Sequence, residues 1–260
     1  MGIEALYMLV GVFVVIQLMM FGLWLKYKSK KNAGIVDIGW ALSFAIAALI
    51  YQFFGIGDMI RSFLMTMMFL VWSLRLSLHL YNRYKKSPED PRYARMRKGW
   101  KGYHNLKMLG VFLFQGVIAF FLTMPAFVAS INPSPEVDFY EIFGLLIWLI
   151  GFVGEVQADW TLVKFKENPA NKGKVCQEGL WRYSRHPNYF FEWVVWTGFF
   201  AFNLGHPVGW LAFYCPFVIL YLLLNVSGIP LTELQLLHSK GQAYKEYQRN
   251  TSYFIPWWPK

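Results

Sequence analysis

The chain has 260 residues, 56% of them apolar and only 15% charged, with 24 Phe, 15 Tyr and 12 Trp. An ordinary soluble domain carries about a quarter charged residues, so this composition, with a mean hydropathy of +0.34, excludes a soluble fold and predicts one membrane-embedded unit. The 25 Lys and Arg against 15 Asp and Glu leave a net charge of +10. In so apolar a chain that excess reads as cytoplasmic loop charge under the positive-inside rule, and no nucleic-acid partner is expected.

Seven apolar segments lie near the roughly 20 residues a helix needs to cross a bilayer. They cover 3–25, 36–54, 59–81, 108–131, 139–165, 188–203 and 208–227. No basic residue precedes the first, which reads as a retained helix rather than a signal peptide. The expected fold is therefore all-α, a single polytopic membrane domain over 1–260 with seven transmembrane helices. All Lys and Arg except Arg61 and Arg75 fall after the first, third, fifth and seventh segments, which predicts an outside N-terminus and a cytoplasmic C-terminus. The opposite side carries short connections, among them the turn Asn132-Pro133-Ser134-Pro135. The stretch 231–247 reads as a helix on the membrane face, interrupted at Gly241, with Glu233, Tyr244 and Tyr247 available to close a chamber. Such a protein is expected in a bacterial inner membrane, or in the endoplasmic reticulum of a eukaryote. No obligate protein partner is evident.

Charges inside hydrocarbon cost about 2.5–3.5 kcal/mol each on insertion scales and need a partner or an aqueous cavity. Asp37 opens the second segment. Arg75 and His79 share one face near the cytoplasmic end of the third, Glu155 and Asp159 share one near the end of the fifth, and Glu192 lies a turn into the sixth. Each could snorkel to the interface alone. Four helices contributing at one depth point instead to a polar chamber open to the cytoplasm. Beside it runs Gly179-Leu180-Trp181-Arg182-Tyr183-Ser184-Arg185-His186-Pro187-Asn188-Tyr189-Phe190-Phe191-Glu192. Pro187 suits a first helical turn, which places Arg182, Arg185 and His186 beside free amide donors, a site for phosphate or carboxylate. Neither the five scattered histidines nor Cys176 and Cys215 have metal-ligand spacing, and no Gly-x-Gly-x-x-Gly follows a strand, so no metal and no Rossmann site are expected.

This run resembles the membrane steroid 5-alpha-reductase-like family, in particular its large bacterial branch. Val36-Asp37-Ile38-Gly39-Trp40, Arg75 through Arg83, Asp159-Trp160, Gly228-Ile229-Pro230-Leu231-Thr232-Glu233, Gly241, Tyr244, Tyr247 and Phe254-Ile255-Pro256 support it. The resemblance implies a seven-helix NADPH-dependent reductase acting on a carbon–carbon double bond conjugated to a carbonyl in an apolar lipid, with the cofactor region in residues 139–260. It implies nucleotide contacts from Tyr183, Asn188, Tyr189 and Glu192, from Glu155 and Asp159, and from Tyr247. Lys166, Arg182, Arg185, His186 and Arg83 are implied at the phosphates, and Arg75 and His79 on a face lining the cofactor, with Arg75 and Asp37 as the catalytic candidates. The steroid enzymes polarise the substrate carbonyl with a Glu on the second helix and a Tyr on the third. Asp37 replaces the Glu by spacing, kept protonated by burial against Trp40. Trp72 stands near the Tyr position and has no acidic proton to give. The Arg-His-Pro-Asn-Tyr element is also similar to membrane methyltransferases of the isoprenylcysteine carboxyl and phospholipid N-methyl type, which implies S-adenosylmethionine as the alternative cofactor.

Overall fold

The computed structural model describes residues 2–86, 88–134 and 136–260. Pro135 of the expected proline-rich turn lies outside the described residues. The chain is 78% helical, and among the described residues no strand forms beyond an isolated bridge between Ser184 and Ser252. Two compact units emerge, Met1–Val137 with His206–Ala212, and Asp138–Gly205 with Phe213–Lys260.

The first unit holds α1 (Ile3–Lys30), α2 (Ile35–Phe54), α3 (Met59–Lys86), α4 (Pro91–Gly99), α5 (His104–Leu122) and α6 (Met124–Ser130). Its long helices face lipid with Leu, Ile, Phe and Val and are joined across their inner faces by small hydroxyls. Ser73 on α3 donates to the Ala41 carbonyl of α2 (2.5 Å), and the Tyr51 hydroxyl meets Thr123 (3.1 Å). Trp72 is fully buried edge-on to Phe44 at 5.5 Å, a packing position. The segment expected as continuous over 108–131 breaks at Thr123, because Pro125 enters the first turn of α6 without an N–H to give. The loop expected between the third and fourth segments contains α4, whose start is set by Asp90, accepting from the Arg92 amide (2.9 Å), and by Pro91.

The second unit holds α7 (Phe139–Glu167), α8 (Pro187–Ala201), α9 (Tyr214–Tyr221), α10 (Ile229–Lys240) and α11 (Gln242–Asn250). A capping box, Asp138 with Glu141, starts α7. A π-helical turn at Leu222–Val226 carries α9 toward α10, and Gly241, at φ +57, separates α10 from α11 at the interruption expected from the sequence.

Among the described residues, six helical stretches are long and apolar enough to cross a membrane: Ile3–Lys30, Ile35–Phe54, Met59–Lys86, His104–Ser130, Phe139–Glu167 and Gly209–Lys240. They mark an integral membrane protein. The expected sixth segment corresponds to α8, whose 15 residues reach only about 22 Å at 1.5 Å per residue, short of a hydrocarbon core of roughly 30 Å. Instead α8 lies tightly along α7. A Cβ on Gly198 would sit 2.5 Å from the Trp148 backbone nitrogen, and one on Gly154 would sit 2.3 Å from the Phe191 ring.

Backbone cannot move aside as a flexible side chain can, so Gly198→Ala is expected to cost about 1–3 kcal/mol and to lower the thermal midpoint of the detergent-purified protein by several degrees. Gly11→Ala, on α1 where a Cβ meets nothing within 4 Å, leaves the midpoint unchanged.

Candidate functional site

Polar side chains gather at one place in each unit. In the first, the focus is Asp37, in the first turn of α2. Its Oδ1 accepts from the Tyr93 hydroxyl (2.6 Å) and its Oδ2 from Arg92 Nη2 (2.7 Å). Arg92 also grips Asp90 through Nε (3.0 Å) and Nη2 (2.9 Å), and Arg83 Nη2 stands 3.8 Å from Asp37 and 3.7 Å from Asp90. Gln115 of α5 donates to the Tyr93 oxygen (3.1 Å). Burial and the Asp37 carboxylate hold the Tyr93 phenol well above its ordinary value, so the proton stays on oxygen. Burial alone would raise Asp90, but the hydrogen bond and charge of Arg92 hold it below its ordinary range. Asp37, expected as an acid or as the orienter of one, here accepts from both Arg92 and Tyr93. The sequence reading missed Tyr93 and Arg92, although Asp90-Pro91 is a readable helix start. Arg83, expected at phosphates, lies against two carboxylates. Arg75 and His79 sit four residues apart on α3, both half-buried.

In the second unit the run before α8 is locked by the C-terminal segment. Arg185 donates an amide bond to the Ser252 carbonyl (2.9 Å), and its guanidinium reaches Glu233 (2.7 Å) and the carbonyls of Gln248 (2.7 Å) and Thr251 (3.2 Å). Glu233 also binds His186 Nε2 (3.2 Å), the Tyr244 hydroxyl (3.2 Å) and Gln248 Nε2 (2.8 Å). Since Glu233 accepts, His186 must carry its proton on Nε2. The Tyr247 hydroxyl bonds to the carbonyls of Trp181 and Ser184, and Trp181 Nε1 donates to the Ala158 carbonyl of α7 (2.9 Å). Arg185, His186 and Tyr247, expected at the cofactor, therefore brace the turn with these bonds. Tyr189 stacks on His186 at 5.7 Å, and Tyr183 meets Trp258 edge-on at 5.3 Å.

The braced turn presents the start of α8 to α7. Asn188 Nδ2 donates to Asp159 Oδ1 (3.2 Å). Because a carboxylate only accepts, the amide must turn its nitrogen that way, and Asn188 Oδ1 is left buried without a hydrogen-bond partner in the structure. Glu155, one turn before Asp159, is buried, Glu192 is half-buried one turn after Asn188, and Lys166 and Arg182 are exposed. Within this unit the structure thus brings Asp159 and Asn188 together, and places Glu155 and Glu192 one turn from them.

Burial depresses the protonation of His186 below its ordinary 6.5, outweighing the neighbouring Glu233; Arg185, Tyr189 and Tyr253 also face the ring. The unfolded chain then binds the proton first as pH falls, so this contribution to stability is full above about pH 6.5 and is lost below it. The thermal midpoint is expected to fall between pH 7.5 and pH 5.5, and His186→Gln to flatten that slope.

No solved structure matches the chain. An uncharacterized protein of Schizosaccharomyces pombe, C594.04c, is 28% identical over 200 residues, covering 66% of this chain. The chain matches 58% of that relative's length. Residues 23–251 match the family described as "Protein of unknown function (DUF1295)". The match takes in α2 through α11, both polar networks included, and the chain belongs to this family, which includes steroid 5-alpha-reductase-like proteins.

Proposed function

We propose that the protein is an NADPH-dependent membrane oxidoreductase that reduces a carbon–carbon double bond conjugated to a carbonyl in an apolar lipid. The observation that carries this reading is the Asp159–Asn188 pair, with Asn188 Oδ1 buried and unpartnered. A buried amide oxygen fixed in orientation by a carboxylate fits a ligand that offers an N–H, as a nicotinamide carboxamide does. Asn188, Asp159, Glu155, Glu192, Tyr183 and Tyr189 would hold the nucleotide, and the exposed Arg182 and Lys166 would meet its phosphates. When bound, NADPH supplies the hydride.

In the first unit the Tyr93 phenol is neutral and buried, donates its one proton to Asp37 and accepts from Gln115. Arg92 and Arg83 keep Asp37 an acceptor, so the Tyr93 O–H does not drift to another rotamer. This pair supports a carboxylate-and-phenol arrangement like that of the steroid enzymes, with Tyr93 on α4 in place of a third-helix Tyr. In the membrane we assign the six long stretches as crossings with α8 packed along α7, and place the basic loops after α1, α3 and α7 on the cytoplasmic side with the N-terminus outside.

The test is a binding comparison on the purified full chain. NADPH is expected to raise the thermal midpoint and S-adenosylmethionine to leave it unchanged; the reverse result assigns the methyltransferase chemistry, and no response to either abandons both. Asn188→Ala is expected to weaken NADPH at least about tenfold, roughly 1.4 kcal/mol.

A further inference from the structure

Among the described residues, two non-glycine residues adopt left-handed backbone, Lys31 at φ 55 and Tyr103 at φ 50. Such residues are uncommon and worth a functional question. Both line the same open depression of about 450 Å³, with His104, Asn105 and Leu106. Its walls are the end of α1 and the first turn of α5, tied together by Trp24 Nε1 donating to the Asn105 carbonyl (2.8 Å) and by Lys31 Nζ on Asn105 Oδ1 (3.4 Å).

Lys31 and His104 are the basic residues that line it. Within one helical turn of them along the chain stand Lys28, whose Nζ lies 4.4 Å over the Trp24 ring, and Lys107, which reaches the Lys101 carbonyl (3.5 Å). The nearby carboxylate Glu89 is occupied by Arg97 (2.7 Å) and by the Ala33 amide (2.9 Å), so it does not offset this charge. Along the two helices from the same rim run exposed apolar side chains, Phe21 and Leu25 on α1 and Leu106 and Phe114 on α5.

We propose that this depression is a binding site for an anionic phospholipid, with the phosphodiester among Lys28, Lys31, His104 and Lys107 and the acyl chains along the α1–α5 seam. Cations at the mouth of a groove between spans are the chemistry that holds such headgroups, and tryptophan and tyrosine at the same level suit the interface. A soluble phosphate would use the rim and leave the apolar track unfilled. The site is independent of the nucleotide reading, because it uses none of those residues.

Native mass spectrometry of the intact protein, exchanged into phosphatidylglycerol or phosphatidylcholine of identical chains, tests it. The anionic lipid is expected to be retained at least about fivefold over the zwitterionic one, the effect of roughly one lysine near a headgroup. Lys28→Gln with Lys31→Asn, the Asn chosen because it tolerates left-handed backbone, is expected to bring the ratio near one. Lys107→Glu does the same, and an acid there favours the start of α5, so folding is not at stake. Lys245→Gln with Arg249→Gln, on α11, leaves the ratio unchanged. Equal retention of the two lipids by the parent protein, or an undiminished ratio in both rim variants, overturns the site. Displacement of phosphatidylglycerol by an equal concentration of glycerol phosphate overturns the lipid assignment in favour of a soluble anion.

Discussion

Hydrocarbon offers no hydrogen bonds, and everything in this protein follows from that. Backbone groups must be satisfied within the segment that carries them, which leaves helices, and every ionisable side chain must bring its partner with it. The described charges obey this closely. Asp37 has Arg92, Glu233 has Arg185, Asp159 has Asn188, and Arg61, buried beside the short connection, reaches the carbonyls of Ser134 and Glu136.

The two polar networks solve the same problem differently. Around Asp37 the partners come from outside the long helices, on α4, so a nine-residue helix that crosses nothing supplies the groups that make a buried carboxylate tolerable. Around Glu233 one carboxylate serves an arginine and a histidine from the turn before α8 and a tyrosine and a glutamine from α11. Its bonds converge on a turn whose own amides and carbonyls are paired to the C-terminal segment, and only then is Asn188 presented to α7. The Asn188 amide is held at the end of a chain of paired groups, which is how a side chain is fixed without a sheet to build on.

Much of this was legible in the sequence because hydropathy over 20 residues is a strong signal in hydrocarbon. The long helices appear where runs of Phe, Leu and Val require them, and the break at Gly241 follows from a residue without a Cβ. Asp159 and Asn188 were readable as separate members of motifs, but not as partners of one another. What escaped was set by tertiary contact. Whether Arg185 faces a phosphate or a carboxylate depends on where residues 233 and 248 return, nearly fifty and sixty positions later, and periodicity carries no such information. Tyr93 was hidden in a stretch whose basic composition reads as loop, although Asp90 and Pro91 marked a helix start. The extent of α8 was legible, expected over 188–203 and found over Pro187–Ala201, but its close fit to α7 at Gly198 was not, because that contact is tertiary.

The closeness of α7 and α8 bears on how the chain is made. A 15-residue helix is too short for the translocation machinery to release into lipid on its own hydrophobicity, and its glycine face fits a single groove, the one at Trp148. α7 precedes α8 in the chain, so the surface at Trp148 that receives Gly198 is made before the helix that needs it. The short helix is thus held by contact with its predecessor and not by its own length in hydrocarbon.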